Sequence, residues 1–404
     1  MYFLEEIPKT LLNLNNSYIF IQGPPGTGKT YQAANAILKL LELGKKVAVN
    51  GNSHKVINNL LARVEQLAIE RKFNFYGIKK SSFSDEETLF NGKFVKDVEN
   101  DLEFIKAVGT KEAVLFAGTK WHICRPYYNK KIDYLFIDEA GQISLSDVVA
   151  MGSSCKNIVL IGDQMQLGQP SKGVHPGDSG KSILDYLLGD LDTIPQDRGI
   201  FLNKTYRLDP KINNFISDNF YESRLIADDK NSLRKVISKN KFFNNSGVYY
   251  IPMEHSDNSQ KSEEECKIVK KLYNDFIGTD FIDKDQNKKK ITNKDILIIS
   301  PYNVQVNYLK SELDEKAQVG TIDKFQGQEA PITIISMTSS DPENLPRDKT
   351  FFFNRNRLNV AISRAQCLSI ILFNPKLLEI APRDVIEIKL LNNFFKLMKF
   401  KVSY

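Results

Sequence analysis

The residues with the plainest chemical capacity are Gly23-Pro24-Pro25-Gly26-Thr27-Gly28-Lys29-Thr30. They satisfy the spacing G-x-x-x-x-G-K-[ST], with an apolar run at 19–22 before them and an amphipathic segment at 30–43 after them. Glycines at these places let the backbone curl until several N–H groups converge on an anion, and the start of the following helix adds its positive end. Lys29 then reaches the β- and γ-phosphates, and the Thr30 hydroxyl is a ligand for Mg²⁺. Residue types and context together point to a nucleoside triphosphate, ATP with Mg²⁺, held on residues 23–30.

A second pair, Asp138 and Glu139, closes another apolar run at 134–137. Alone, such a pair reads as a solvated turn. Beside a phosphate loop, both at strand ends of one sheet, Asp138 suits the Mg²⁺ shell and Glu139 the polarising of an attacking water. Open α/β sheets place ligands at the carboxyl ends of their strands.

The elements that position these groups follow from the pattern. Apolar runs at 19–22, 46–50, 114–117, 134–138 and 158–162 alternate with amphipathic segments such as 30–43 and 55–72. Nearly unbroken apolar strands suit a parallel sheet covered on both faces. A second series at 248–251, 295–300, 332–336 and 368–373, with a helical segment at 262–277, predicts a second α/β unit. The expected division is 1–198 and 199–404, joined near 195–206. A small polar insertion is expected at about 75–112, with 81–101 its least periodic part. The lysine-rich stretch 283–290 reads as a solvated loop.

Bulk properties narrow the class. The chain has 404 residues, 42% apolar and 26% charged, as in soluble two-domain proteins. No apolar run approaches the roughly 18 residues of a membrane span, so a cytoplasmic protein without a membrane partner is expected. Cys124, Cys155, Cys266 and Cys367 are scattered without a Cys-x-x-Cys pair, which argues against a zinc, iron–sulfur or disulfide framework. A net charge of +6 is compatible with a polyanionic partner without demonstrating one.

With Asp138-Glu139-Ala140-Gly141-Gln142 read beside the loop, the chain resembles the superfamily 1 helicases, in the branch of the nonsense-mediated-decay helicase and the replication nuclease–helicases. Further matches follow in order. Gly162-Asp163-Gln164-Met165-Gln166-Leu167, with Pro170 behind, is similar to the third motif, which implies that Gln166 senses the γ-phosphate. Thr205-Tyr206-Arg207 implies an aromatic on adenine and an arginine on the γ-phosphate. Ser300-Pro301-Tyr302 with Gln305 resembles a strand-end motif. Residues 320–329, including Thr321, Gly327 and Glu329, resemble the fifth motif, with Glu329 on ribose and Thr321 on the nucleic-acid backbone. Residues 359–365 resemble the sixth, with Arg364 a second arginine finger. Taken singly, Arg207 reads as a salt-bridged surface residue, Tyr206 as a core aromatic and Gln166 as a loop amide; as an ordered set they are hard to dismiss.

The resemblance implies two tandem RecA-like P-loop domains with ATP in the cleft between them, and movement on single-stranded DNA or RNA in the 5′-to-3′ direction. Ser53 after the second strand, Thr119 after the third and Thr321 are the implied backbone contacts, which carry no sequence information. Trp121 has the shape to stack a base, although core packing is the commoner fate of a tryptophan; His54 reads as a satisfied surface histidine. The family's adenine-reading glutamine has no counterpart at 12–15, and Gln22 abuts the loop too closely, which leaves base selectivity open. Residues 164–170 and 175–180 resemble helicases fused behind a RecB-like nuclease, so a separate nuclease or accessory protein is the expected partner. An ATP-gated clamp that grips without processive movement is the alternative; a P-loop kinase or GTPase leaves the second-half motifs unexplained.

Overall fold

The computed structural model describes every residue except 1, 113, 170–172, 174, 239–240, 343–344 and 347–348, and the backbone alone of 2–4. Pro170 therefore lies outside the described residues. The chain forms two compact units: Met1–Gln164 with Gly168–Leu202, and Met165–Leu167 with Asn203–Tyr404.

The first unit runs α1 (Tyr2–Leu12), β1 (Tyr18–Gln22), α2 (Lys29–Glu42), β2 (Val47–Asn50), α3 (His54–Glu70), β3 (Tyr76–Lys80), β4 (Val95–Val98), α4 (Asp101–Gly109) and β5 (Val114–Ala117). It continues with α5 (Lys120–Ile123), β6 (Ile132–Ile137), α6 (Leu145–Gly152), β7 (Cys155–Gly162), α7 (Ile183–Leu188) and β8 (Gly199–Phe201). The eight strands make one parallel sheet in the order β4-β3-β5-β2-β6-β7-β1-β8. Every residue of β2 and β5 is buried, the burial that unbroken apolar strands imply. Ile37 and Leu60 from α2 and α3 pack with Val49, Phe136 and Ile161 of the sheet.

Two features depart from the sequence reading. The region expected as an insertion extends the main sheet, because β3 and β4 pair in parallel beyond β5. Buried Glu65 of α3 explains why a polar stretch folds there: its carboxylate accepts from the N–H groups of Lys93, Phe94 and Val95 at 2.7–2.9 Å. The other is β8, which lies past residue 198 yet pairs with β1 in the first sheet.

The second unit contains β9 (Lys204–Thr205), α8 (Pro210–Phe220), β10 (Ile226–Ala227), β11 (Lys235–Ile237), β12 (Gly247–Pro252), α9 (Glu263–Phe276), β13 (Asp280–Ile282), β14 (Lys288–Lys290), β15 (Ile296–Ile299) and α10 (Asn303–Glu312). After these come β16 (Gln318–Gly320), β17 (Ala330–Ser336), α11 (Lys349–Phe352), α12 (Arg355–Ser363), β18 (Ala365–Phe373) and α13 (Val385–Leu397). Its main sheet is parallel in the order β12-β18-β17-β15-β16, with Ile298, Ile334 and Ile370 packed under Leu272 and Phe276 of α9. The lysine-rich stretch is an antiparallel hairpin of β13 and β14 rather than a loop, with Lys288 and Lys290 both paired to Asp280. Among the described residues no helix is long and apolar enough to cross a membrane.

Candidate nucleotide and strand sites

The loop 23–28 joins β1 to α2. Its first N–H, on Gly23, donates to the Gly162 carbonyl at the end of β7 (2.9 Å), which fixes the loop against the neighbouring strand. Thr27 Oγ donates to the Pro24 carbonyl at 2.8 Å, and both Pro24 and Pro25 are buried. Gly26 and Gly28 have φ of 74° and 78°, a region that L side chains rarely adopt. A Cβ on Gly23 would stand 2.1 Å from Lys29 Cγ, so only glycine lets the lysine curl back over the loop. The Lys29 ammonium donates to the Gly23 carbonyl, which holds the charge against the start of the loop. Thr30 is half-buried on the first turn of α2.

Asp138 follows β6, at the same edge of the sheet. Its N–H donates to the Asn50 carbonyl (3.0 Å) and its Oδ1 accepts from the Glu139 N–H (2.9 Å). The side chain is buried, and its pKa is pushed up to about 7 by burial first and the Glu139 charge second, while Lys29 pulls the other way. A hydroxyl and a single carboxylate are the sparse donor set that suits Mg²⁺, which keeps waters and phosphate oxygens as its other ligands. A buried carboxyl with a raised pKa is the group a cation would stabilise, so Thr30 and Asp138 fit that ion. Glu139 stands in a left-handed conformation (φ 52°, ψ 43°), one of the strained positions that cluster at functional sites. Gln142 accepts from Asn52, in the loop after β2. Gln22 is buried and occupied structurally: it donates to the Asp192 carbonyl (3.1 Å) and accepts from Ile194 N–H (2.7 Å).

In the second unit two of the singled-out residues, Arg207 and Glu329, come together. Arg207, after β9, forms an ion pair with Glu329, and its Nη1 donates to the Ser363 carbonyl at 3.4 Å. Gln366 Nε2 donates to the other Glu329 oxygen at 2.8 Å. Burial opposes ionisation of Glu329, but the Arg207 charge and these hydrogen bonds outweigh it and hold the carboxyl below its usual range. The resemblance gave Glu329 and Arg207 separate tasks, whereas the structure binds them to each other. Arg364, buried between α12 and β18, donates from Nη1 to the Gln328 carbonyl at 3.0 Å. Gly327 has φ 77°, and Thr321 is half-buried. Tyr206 is exposed, not a core aromatic. Gln166, half-buried, belongs to the Met165–Leu167 stretch that groups with this unit, where the Met165 carbonyl accepts from Asn359 at 2.7 Å.

Sequence reasoning missed the groups that hold Tyr206 and Arg207 in place. Fully buried Asn231 donates to the carbonyls of Thr205 (2.9 Å) and Leu208 (3.0 Å). Buried Arg234 donates to the carbonyls of Tyr206 (3.1 Å) and Arg207. Four successive carbonyls are thus held by two side chains. No residue-type signal flags Asn231 or Arg234, because the pairing is nonlocal.

Of the proposed strand contacts, Ser53 caps α3, its Oγ accepting from Val56 N–H at 3.3 Å. Thr119 precedes α5 and is half-buried. Because β2 and β5 are neighbours in register, both residues lie at one sheet edge. The half-buried His54 sits 3.3 Å from Lys79 Nζ, and burial and the Lys79 charge lower its pKa, which favours the neutral ring. Lys79, fully buried, also donates to Ser81 Oγ (2.8 Å) and lies 3.8 Å from Asp97. Trp121 overturns the expectation of core packing: it is 77% exposed.

Comparison with known proteins finds several similar to this chain. Two family models, each described as an AAA domain, match residues 5–179 and 181–376. The chain is 24% identical over 397 residues to the DNA polymerase alpha-associated DNA helicase A of Schizosaccharomyces pombe, covering 85% of this chain and 59% of that protein. It is 26% identical over 386 residues to the DNA replication ATP-dependent helicase/nuclease dna2 of the same yeast, covering 86% and 26%. It is 26% identical over 414 residues to the ATP-dependent helicase NAM7 of Saccharomyces cerevisiae, covering 88% and 40%. The chain thus spans between 26% and 59% of the length of these relatives. A solved structure of the DUF1998 helicase MrfA bound to DNA matches with a TM-score of 0.50 at 9% identity, over 92% of this chain and 48% of that one, a likeness of fold alone. Helicases thus align with 85–88% of this chain and an AAA-domain model matches each half, so the chain resembles the superfamily 1 helicases over most of its length.

Proposed function

We propose that this chain hydrolyses ATP with Mg²⁺ and couples the hydrolysis to movement along single-stranded nucleic acid in the 5′-to-3′ direction. The observation that carries the reading is the pairing of a loop shaped for phosphates, with Lys29 held against its start, and a buried Asp138 whose raised pKa suits a cation at the same sheet edge. Lys29 holds the β- and γ-phosphates, Thr30 and Asp138 hold the metal, and Glu139 orients the attacking water. The metal, when bound, neutralises charge on the phosphate oxygens. Gln166 senses the γ-phosphate, Tyr206 packs on the base, and Arg207 and Arg364 stabilise charge in the transition state. Ser53, Thr119 and Thr321 contact the strand backbone. Free thiols at all four cysteines accord with a reducing cytoplasm. A nuclease or accessory protein is the partner that suits such a motor.

ATP turnover measured with single-stranded DNA, single-stranded RNA and duplex tests this directly. Strong stimulation by single strands is expected; turnover indifferent to every nucleic acid at low salt would overturn the motor reading. Direction is read by streptavidin displacement, which should be fast from a 3′-biotinylated strand and slow from a 5′-biotinylated one.

A further inference from the structure

Trp121 is the chain's single tryptophan, and it stands 77% exposed. Few side chains lose more by remaining in water, since an indole has a large apolar area to bury. Its backbone, however, is fixed. The next residue, His122, points inward, where its Nε2 lies 2.8 Å from Tyr128 Oη, its Nδ1 3.3 Å from Tyr127 Oη, and its ring edge-on to Phe104 at 4.2 Å. Burial drives the His122 pKa down to about 3, so this anchor is uncharged around neutrality. Ile123 is buried beside it. A rigid, inward-facing anchor therefore holds an indole out toward solvent.

The surroundings select the occupant. Between Val114 and Ile132 the chain carries Lys120, Arg125, Lys130 and Lys131 and no acidic residue, and Asp101 of α4 stands 4.0 Å from Arg125. Lys120 Nζ lies 5.3 Å from the indole centroid, and Asp147 on α6 pairs with it at 2.7 Å. Trp121 follows β5, the neighbour of β2, so Thr119, Ser53 and the exposed Lys55 lie at the same edge of the sheet. An exposed aromatic plane in a basic, hydroxyl-bearing setting matches a polyanion with flat bases better than a protein surface, because every base offers a π-face and the phosphates offer charge.

We propose that Trp121 is a base-stacking platform for the single strand, gripping bases without reading their sequence. This rests on the strand-binding reading above and adds a residue and a mode of contact to it. Phosphate contacts alone leave the bases free, whereas stacking on a ring fixed to the first unit holds the strand at a defined nucleotide.

The single tryptophan is its own reporter. The full chain is titrated at low salt with a fluorescein-labelled deoxythymidine oligonucleotide while label anisotropy is followed, and with the unlabelled strand while indole emission is followed. An abasic strand of equal length is the companion probe. A saturable emission change at the concentrations that raise anisotropy is expected, with little change from the abasic strand. Trp121→Ala should weaken strand affinity by about 5- to 150-fold, and Trp121→Phe should recover most of it. If anisotropy rises while emission does not move, or if Trp121→Ala binds as tightly as the parent chain, the stacking inference is overturned and strand binding stands. If no strand raises anisotropy, the proposed function falls and the inference falls with it.

Discussion

Asp138 in the first unit is a buried carboxyl pushed toward its neutral form by burial and by Glu139, and Glu139 is held in a left-handed backbone conformation. Arg207 and Glu329 in the second unit satisfy each other, and Asn231 and Arg234 hold the backbone that carries them. One site stores unfavourable terms that a bound cation would relieve. The other stores its functional charge in an internal pair. Ligand binding is therefore expected to stabilise the first unit, and the role proposed for Arg207 requires that it exchange Glu329 for phosphate.

The largest test of this contrast is Arg207→Ala. If Arg207 is a waiting catalytic group, strand-stimulated hydrolysis should fall by about 10³–10⁵-fold, measured as kcat, with ATP affinity largely kept. Near-normal turnover would make the Arg207–Glu329 pair purely structural. Next, Glu139→Gln should retain ATP binding and lower kcat by about 10²–10⁴-fold. Glu139→Gly should be as inactive but more thermally stable by about 1 kcal/mol, because glycine adopts positive φ without the side-chain clash. A glycine variant no more stable than the glutamine one removes strain from the account.

Asn231→Ala tests the carbonyl clamp. Leaving the buried Thr205 and Leu208 carbonyls without this donor should cost about 1–3 kcal/mol in denaturant melts. It should also lower kcat by about 10- to 100-fold through misplacement of Arg207, with KM for ATP little changed. The narrowest effect, confined to stability without Mg²⁺ and to one pH window, is expected from Asp138→Asn. Because the folded pKa is raised to about 7 from an ordinary 3.8, the folded state keeps its proton where the unfolded state has lost it. Asp138 thus subtracts stability as pH rises from about 4 to 7, and the full penalty remains above that range. The advantage of the asparagine variant, read as a difference in Tm, should grow over that interval and then level off; an advantage independent of pH contradicts the raised pKa.

Local chemistry made part of this legible in advance. The phosphate loop needs only residues close in sequence, and strands such as β1, β5 and β6 declare themselves by unbroken apolar character. Other features depend on distant partners. The edge strand β4 exists because Glu65 on α3 supplies acceptors to residues 93–95, and nothing in its own pattern says so. Gly199 and its neighbours pair with β1 across a long separation, which moved the division of the chain past residue 198. Trp121 reads as core by residue type; its neighbour His122 found the inward place among Phe104, Tyr127 and Tyr128 instead.

By itself, then, the sequence determined which residues could bind phosphate and metal, since that capacity lies in residue type and short spacing. It also determined the two α/β units, since continuous apolar runs have few other ways to be buried. Tertiary structure alone decided the electrostatic state of Asp138, the pairing of Arg207 with Glu329, and the outward face of Trp121. Burial and long-range pairing set pKa values, partners and exposure, and these are properties of the neighbours that folding brings together.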